Sequence, residues 1–291
     1  MTALNQTQFD QFELPHPSGE GSLQISVMCP PTLAGHLTDA PVLYVMDADF
    51  EYATAAEIAR LTALGGTRPS AMVVGIGYGT DDFLKFMRLR AADLTPPVSD
   101  ENKQKLGKFT LFIGEESGGA DALLTFMTDT LIPEIARRYP QASKDNKALY
   151  GHSFGGLFAV HALLTRPDTF NTFLTASPSL WWNGFAALDL LPSLTAKLDA
   201  LDRKPRVLVT VGGTEQDPPT TVLPGSPFTL EEMQAMISSW RTVDASAEFA
   251  DALREAGLSD VGYVSFENET HESVIPCSMT RSLNYFISKS D

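Results

Sequence analysis

Residues 148–156, ALYGHSFGG, carry the most pointed chemistry in the chain. Gly151, His152, Ser153, Phe154 and Gly155 fit the spacing G-x-S-x-G, after a run that reads as strand and before one that reads as helix. A serine on a sharp strand-to-helix turn needs small neighbours for the turn to close, and glycines at 151, 155 and 156 supply them. Such a turn lifts the hydroxyl above the sheet and aims the free N–H groups of the next helix at a developing oxyanion. A bare G-x-S-x-G is common by chance. The strand before and the helix after make Ser153 a candidate nucleophile rather than part of a glycine-rich packing turn.

A serine hydroxyl near neutral pH needs a base, and the base needs an orienting group. Of five histidines, His16 and His36 sit in polar stretches and read as solvated. His152 lies inside the turn with its ring expected to point away from the Ser153 hydroxyl, which suits packing; His161, on the following helix, reads as structural. His271, in ENETHESV after the last strand candidate, stands where the chain order Ser, acid, His puts a base. The acid should follow the strand between them. VLVTVGG is followed by Thr214-Glu215-Gln216-Asp217, so Glu215 and Asp217 are both candidates. The backbone N–H of Phe154 is the expected first oxyanion donor; the second is expected from Asp49 or Phe50, where YVMDADF leaves a strand.

Positioning these residues requires a sheet. Strand candidates fall at 22–29, 42–47, 72–77, 147–151, 173–176, 206–212 and 261–266, and several are apolar on both faces, which suits strands covered by helices on each side. Helical spacing occupies 51–64, 120–139, 154–164 and 230–256, and Thr229 with Glu232 could form a capping box. This alternation predicts a mostly parallel, doubly wound α/β sheet. Residues 94–119, polar and rich in Gly and Pro, are a candidate lid or substrate loop; 216–228 is a second irregular excursion. Neither has the apolar content of a separate domain, so residues 1–291 are expected to form one.

Composition narrows the function. The 291 residues include 21 Lys+Arg against 36 Asp+Glu, a formal charge of −15, which argues against a nucleic-acid partner or anionic lipid. No apolar run reaches the ~18 residues of a spanning helix, and MTALNQTQFDQFELP has neither the basic nor the apolar region of a signal peptide. Two cysteines, Cys29 and Cys277, fit a reducing cytoplasm. GIGYGT is a poor dinucleotide fingerprint, since Thr80 stands at its third glycine position, and no Cys/His spacing supports a metal site; no cofactor is expected.

The chain resembles the esterase group of α/β-hydrolases that includes the ferric-enterobactin (siderophore) esterases, with esterase D-type enzymes as relatives. The resemblance rests on LYVMDAD, VVGIGY, R-x-x-D-L-T-P from Arg90, GGADALLTFM, LYGHSFGGLFA, ASPSLWWN, VGGTE and ETHESV, in that order. It implies an α/β-hydrolase fold and a serine hydrolase of carboxylic esters, acting on a small-molecule ester such as a siderophore-type trilactone or a small acyl ester. It also implies Glu215 as the acid, three residues after Gly212, and Arg90, Trp181 and Trp182 as substrate-lining residues. Relatives often carry a second arginine where this chain has Ala92, and Arg88 could replace it only if the segment were extended. An acyltransferase on the same scaffold and a non-catalytic binding protein are the competing readings.

Overall fold

A short segment that is apolar on both faces is buried only if it is covered on two sides, and most of the sheet is built from such segments. The computed structural model describes residues 7–30, 39–64 and 71–288. Its strands are β1 (Gln8–Pro15), β2 (Ser22–Cys29), β3 (Ala40–Val45), β4 (Met72–Gly77), β5 (Ala142–His152), β6 (Thr172–Ala176), β7 (Arg206–Gly212) and β8 (Val261–Phe266). They form one sheet in the order β1-β2-β4-β3-β5-β6-β7-β8. From β4 to β8 every neighbouring pair is parallel; β2 runs antiparallel to both β1 and β4. This is the expected α/β-hydrolase sheet, and every residue of β3 and β4 is buried.

Strand β1 was not foreseen. It is an edge strand, paired only with β2 and mostly exposed, so its sequence QFDQFELP lacks a clean apolar alternation. Phe12 and Leu14 alone lean on the core.

Side-chain alternation divides the core between the two faces. Tyr44, Leu149, Phe173 and Val209 point to one face, under α5 (Ala120–Phe126), α7 (Phe154–Thr165) and α10 (Thr242–Glu255). Leu43, Val73, Tyr150 and Leu208 point to the other, under α1 (Ala48–Leu64) and α11 (Val274–Ile287). The glycines of GIGYGT serve this packing. A Cβ on Gly75 would stand 2.7 Å from the Tyr52 ring and 2.8 Å from the Ala48 Cβ, so glycine lets α1 lie directly on β4.

The remaining helices are α2 (Phe83–Leu94), α3 (Asp100–Leu106), α4 (Thr110–Ile113), α6 (Ile132–Arg138), α8 (Leu191–Asp199) and α9 (Leu230–Trp240). The predicted helix at 120–139 is one helical run, with a wide π turn at Met127–Leu131 between α5 and α6. The predicted helix at 230–256 is broken. Arg241 takes a left-handed conformation (φ 48°, ψ 37°) between α9 and α10. The two halves have different tasks: α10 buries Ala245, Phe249 and Leu253, whereas α9 has no fully buried residue. The capping box at the start of α9 forms as the spacing suggested.

Residues 94–119 are helical in their middle, between irregular stretches at 95–99 and 114–119. They hold α3, a 3-10 turn at Gly107–Phe109 and α4, with Ile113 buried and Leu106, Phe109 and Phe112 against the core. Helix α3 has no fully buried residue, so it left no apolar period in the sequence. Among the described residues, no helix is long and apolar enough to cross a membrane.

Candidate active site

Strand β5 ends at His152 and α7 starts at Phe154, which leaves Ser153 alone in the turn, at φ 59° and ψ −116°. A side chain at positive φ is strained, and this strain is held by the surrounding backbone. The Ser153 N–H donates to Ala176 O (2.9 Å), and Ser153 O accepts from Leu157 N–H (2.9 Å) and Ser179 N–H (3.1 Å). The turn closes because its neighbours have no side chains. A Cβ on Gly151 would fall 2.0 Å from Gly155 O, and one on Gly156 would fall 2.7 Å from Ala176 O. The Ser153 hydroxyl lies 3.4 Å from that of Ser179.

Two further strand ends deliver the other groups. Past β7, Glu215 folds back so that Oε1 accepts from Gly212 N–H (2.7 Å) and from the Ser177 hydroxyl. Its Oε2 accepts from His271 Nδ1 at 2.6 Å. The carboxylate is 2% exposed and the imidazole 39%. Thr214 clamps the two loops together, donating from N (3.2 Å) and Oγ1 (2.8 Å) to Glu269 O. Among the described residues His271 thus pairs with Glu215. Asp217 also borders the cleft, but on its exposed side. Ser153, His271 and Glu215 all open on one cleft of about 590 Å³.

Other expectations are redistributed. Phe154 stands at the first position of α7, where N–H groups lack intrahelical partners. Asp49 does not line the cleft: its carboxylate accepts from Tyr78 N–H (2.7 Å) and Thr80 N–H (2.8 Å) beyond β4. Phe50 does line it, yet its N–H donates to Asp47 O at 3.0 Å.

Arg90 borders the cleft as a committed cation. Its Nε and Nη2 donate to the two Asp47 oxygens at 2.9 and 2.7 Å, and Nη2 also reaches His152 O at 3.2 Å. Because residues 83–94 are helical, positions two apart point to different sides. Arg88 is therefore exposed and cannot stand in beside Arg90, while Ala92 borders a separate concavity with Val98 and Lys103. The tryptophans also part. Trp181 walls the cleft, stacked on Trp240 (centroids 4.6 Å apart, 9° between planes), whereas Trp182 is buried and donates Nε1–H to Pro96 O at 2.9 Å. Trp181 thus stands on the cleft, whereas Trp182 belongs to the core.

The histidines sort similarly. His161 is the structural residue expected, bonded to Asp121 at 2.7 Å. His16 is not solvated: it is bonded to Asp93 at 2.8 Å with both side chains 12% exposed. Position 36 lies outside the described residues. His152 packs as expected, and its partner is the His271 ring, 4.4 Å away between centroids.

Sequence reasoning missed a buried polar group below this contact. Glu51 Oε1 lies 3.7 Å from His152 Nδ1, and the far atoms Glu51 Oε2 and His152 Nε2 have no hydrogen-bond partner among the described residues. Burial, then the nearby Asp47 carboxylate, pushes the Glu51 carboxyl well above its usual range, against the opposing pull of Arg90. Burial, then His271 and Arg90, pushes the His152 imidazole well below its usual value. The acid ending YVMD was the available signal for Asp47; Glu51 and Trp240 left none.

Comparison with known proteins bears on this arrangement. A family model described as "Putative esterase" matches residues 18–236. The siderophore triacetylfusarinine C esterase of Aspergillus fumigatus is 32% identical over 252 residues, 84% of this chain and 81% of that protein. The ferri-bacillibactin esterase BesA of Bacillus subtilis is 32% identical over 270 residues, 88% of this chain and 80% of that protein. Among solved structures, siderophore hydrolase EstB from Aspergillus nidulans aligns with a TM-score of 0.79 at 30% identity, over 96% of this chain and 95% of that one.

Proposed function

The chain belongs to this esterase family and is a carboxylic ester hydrolase, and from that premise we propose that Ser153, His271 and Glu215 are its nucleophile, base and orienting acid. One observation carries the reading. A buried carboxylate holds His271 by Nδ1 at 2.6 Å, on the same cleft as a serine strained at the mouth of a helix. With Nδ1–H given to Glu215, the lone pair of Nε2 is the one left to accept a proton.

The steps follow from these roles. Ser153 Oγ bonds to the ester carbonyl carbon as its proton passes to His271 Nε2. The carbonyl oxygen takes the negative charge and is held by the Phe154 N–H and the N-terminal field of α7. The tetrahedral carbon then expels the alkoxy group, which takes the proton from His271 and leaves as alcohol. Water repeats the sequence on the acyl-enzyme, releasing the acid and restoring the Ser153 hydroxyl. Glu215 stabilises the imidazolium in both halves without itself being protonated.

The substrate in this reading is a siderophore-type ester, the class named for the relatives, with Trp181 offering a flat wall to one arm. Arg90 shapes the floor through Asp47 rather than gripping substrate. Both cysteines are free thiols, which fits a reducing compartment, and we place the enzyme in the cytoplasm.

The test is hydrolysis by wild type and Ser153→Ala across p-nitrophenyl acyl esters, S-formylglutathione and siderophore-type trilactones, with fluorophosphonate labelling of both proteins. Ser153-dependent turnover led by a trilactone is expected. Turnover that survives Ser153→Ala would move the nucleophile, and a preference for short acyl esters would remove the siderophore assignment.

A further inference from the structure

We propose that the cleft selects esters carrying no negative charge, and that Asp217 and Glu272 at its exposed edge are the residues that turn anionic esters away. The inference rests on the hydrolase reading and adds to it the charge class of the substrate.

The argument begins with what the cleft could offer an anion. Among the described residues lining it, Arg90 is the only arginine or lysine. That guanidinium is already neutralised, with two of its nitrogens on the Asp47 carboxylate and its charge 7% exposed. Lys105 and Lys108 line an adjoining concavity, and each is paired, with Glu101 and Glu232 respectively. No side-chain cation of the cleft is therefore free to meet a substrate carboxylate or phenolate.

Acids, in contrast, are abundant there. Asp47, Glu51, Glu215, Asp217 and Glu272 all border the cleft. Asp47 is matched by Arg90, Glu215 by His271, and the buried Glu51 is held toward its neutral form. Asp217 and Glu272 are exposed and have no ion-pair partner among the described residues. Among the described residues the Glu272 carboxylate accepts only from the Thr270 hydroxyl, at 3.2 Å. Much of the remaining wall is apolar, supplied by Phe50, Phe86, Phe109, Trp181, Met233 and Trp240, with Ser and Thr hydroxyls as its uncharged polar groups. An anion entering here would leave water, meet two like charges and find no free cationic side chain. The formal charge of −15 adds a long-range repulsion of the same sign. Among siderophore-type esters, uncharged arms are thus favoured over catecholates, whose iron chelates are strongly anionic.

The test uses two aryl esters matched in size, one ending its acyl chain in a carboxylate and the other in the isosteric primary amide. Their kcat/KM values are compared in wild type, in Asp217→Asn/Glu272→Gln and in Asp217→Lys, at low and high salt. The ratio of the two esters is read within each protein, so a general loss of activity cancels. Wild type is expected to favour the amide ester several-fold. The double variant should narrow the ratio by on the order of twofold per carboxylate removed, and Asp217→Lys should narrow it further. Salt should narrow it in wild type and do less in the double variant. A wild-type preference for the carboxylate ester, or a ratio unmoved by every variant, overturns the inference while leaving the hydrolase reading intact. No turnover of either ester, with no fluorophosphonate labelling of a folded protein, overturns both.

Discussion

Glu215 shows how one side chain can be committed on every side. One oxygen takes a backbone N–H and a hydroxyl, the other takes the imidazole, and the side chain is almost wholly buried. Burying a carboxylate is tolerable only with such partners. Glu215→Gln keeps the shape but loses the charge that favours imidazolium, so kcat should fall by about 10³–10⁴ with little change in KM. Asp217→Asn should cost far less on an uncharged ester; steady-state kinetics of the two variants settle the order, and the reverse order would reassign the acid. Arg90 makes the opposite point. Removing one member of a buried ion pair strands the other, so Arg90→Ala should destabilise the fold by about 3–5 kcal/mol in urea unfolding. Unchanged stability with a raised KM would return Arg90 to substrate binding. The spacing in the sequence singled out Ser153 and His271, because strand ends carry reactive groups in a fixed chain order, and it left Glu215 and Asp217 as alternatives between which only the family resemblance chose. It could not reveal that Asp47 claims Arg90, since the two stand 43 residues apart and meet only when α2 docks on the end of β3.

At the scale of elements, the crossing of β5 and α7 is the tightest joint described. Gly151→Ala would drive a methyl into the Gly155 carbonyl, and backbone cannot swing aside as a side chain can. Loss of the folded, fluorophosphonate-reactive protein is expected, and full labelling with native stability would show that the joint has more room. The capping box of α9 is milder. Thr229→Ala removes the acceptor for Glu232 N–H and should cost about 1 kcal/mol, measurable as earlier fraying of α9 in hydrogen exchange. The strands β2, β4, β7 and β8 begin and end at the residues expected from the sequence; the first three are mostly buried, and β8 is half-buried against the core. Of the helices that were missed, α11 buries seven residues and α2 and α3 obey weaker local rules. Helix α2 starts from an Asp82 cap within a mixed sequence, and α3 from a Ser99 cap on a helix with no fully buried side chain. The break at Arg241 carries neither Gly nor Pro; it exists because α9 and α10 must face different neighbours.

For the molecule as a whole, Glu51 and His152 tie stability to pH from opposite directions. Glu51 is raised in the fold, so its contribution is complete below its usual 4.5 and is lost as pH rises above that value toward the folded one. His152 is depressed, so its contribution is complete above its usual 6.5 and is lost as pH falls below it. Between these values the two slopes oppose each other, and stability from this pair should fall away on both sides. Urea midpoints at pH 4, 5.5 and 8 are the check: Glu51→Gln should flatten the alkaline fall and His152→Asn the acid one. Equal pH dependence in wild type and both variants would mean that neither group is perturbed as its surroundings imply. One arrangement at the cleft also reaches beyond the chemistry. The chain has three tryptophans; Trp181 stacks on Trp240, and Trp182 lies 6.0 Å from Trp181. The tryptophan emission, selected by excitation at the red edge where tyrosine does not absorb, therefore originates at one corner of the structure, the wall where an ester arm would rest. Tryptophan fluorescence is then an unlabelled optical gauge of cleft occupancy, and the β1 edge, where Tyr139 bonds Asp10, would have to be followed by another probe.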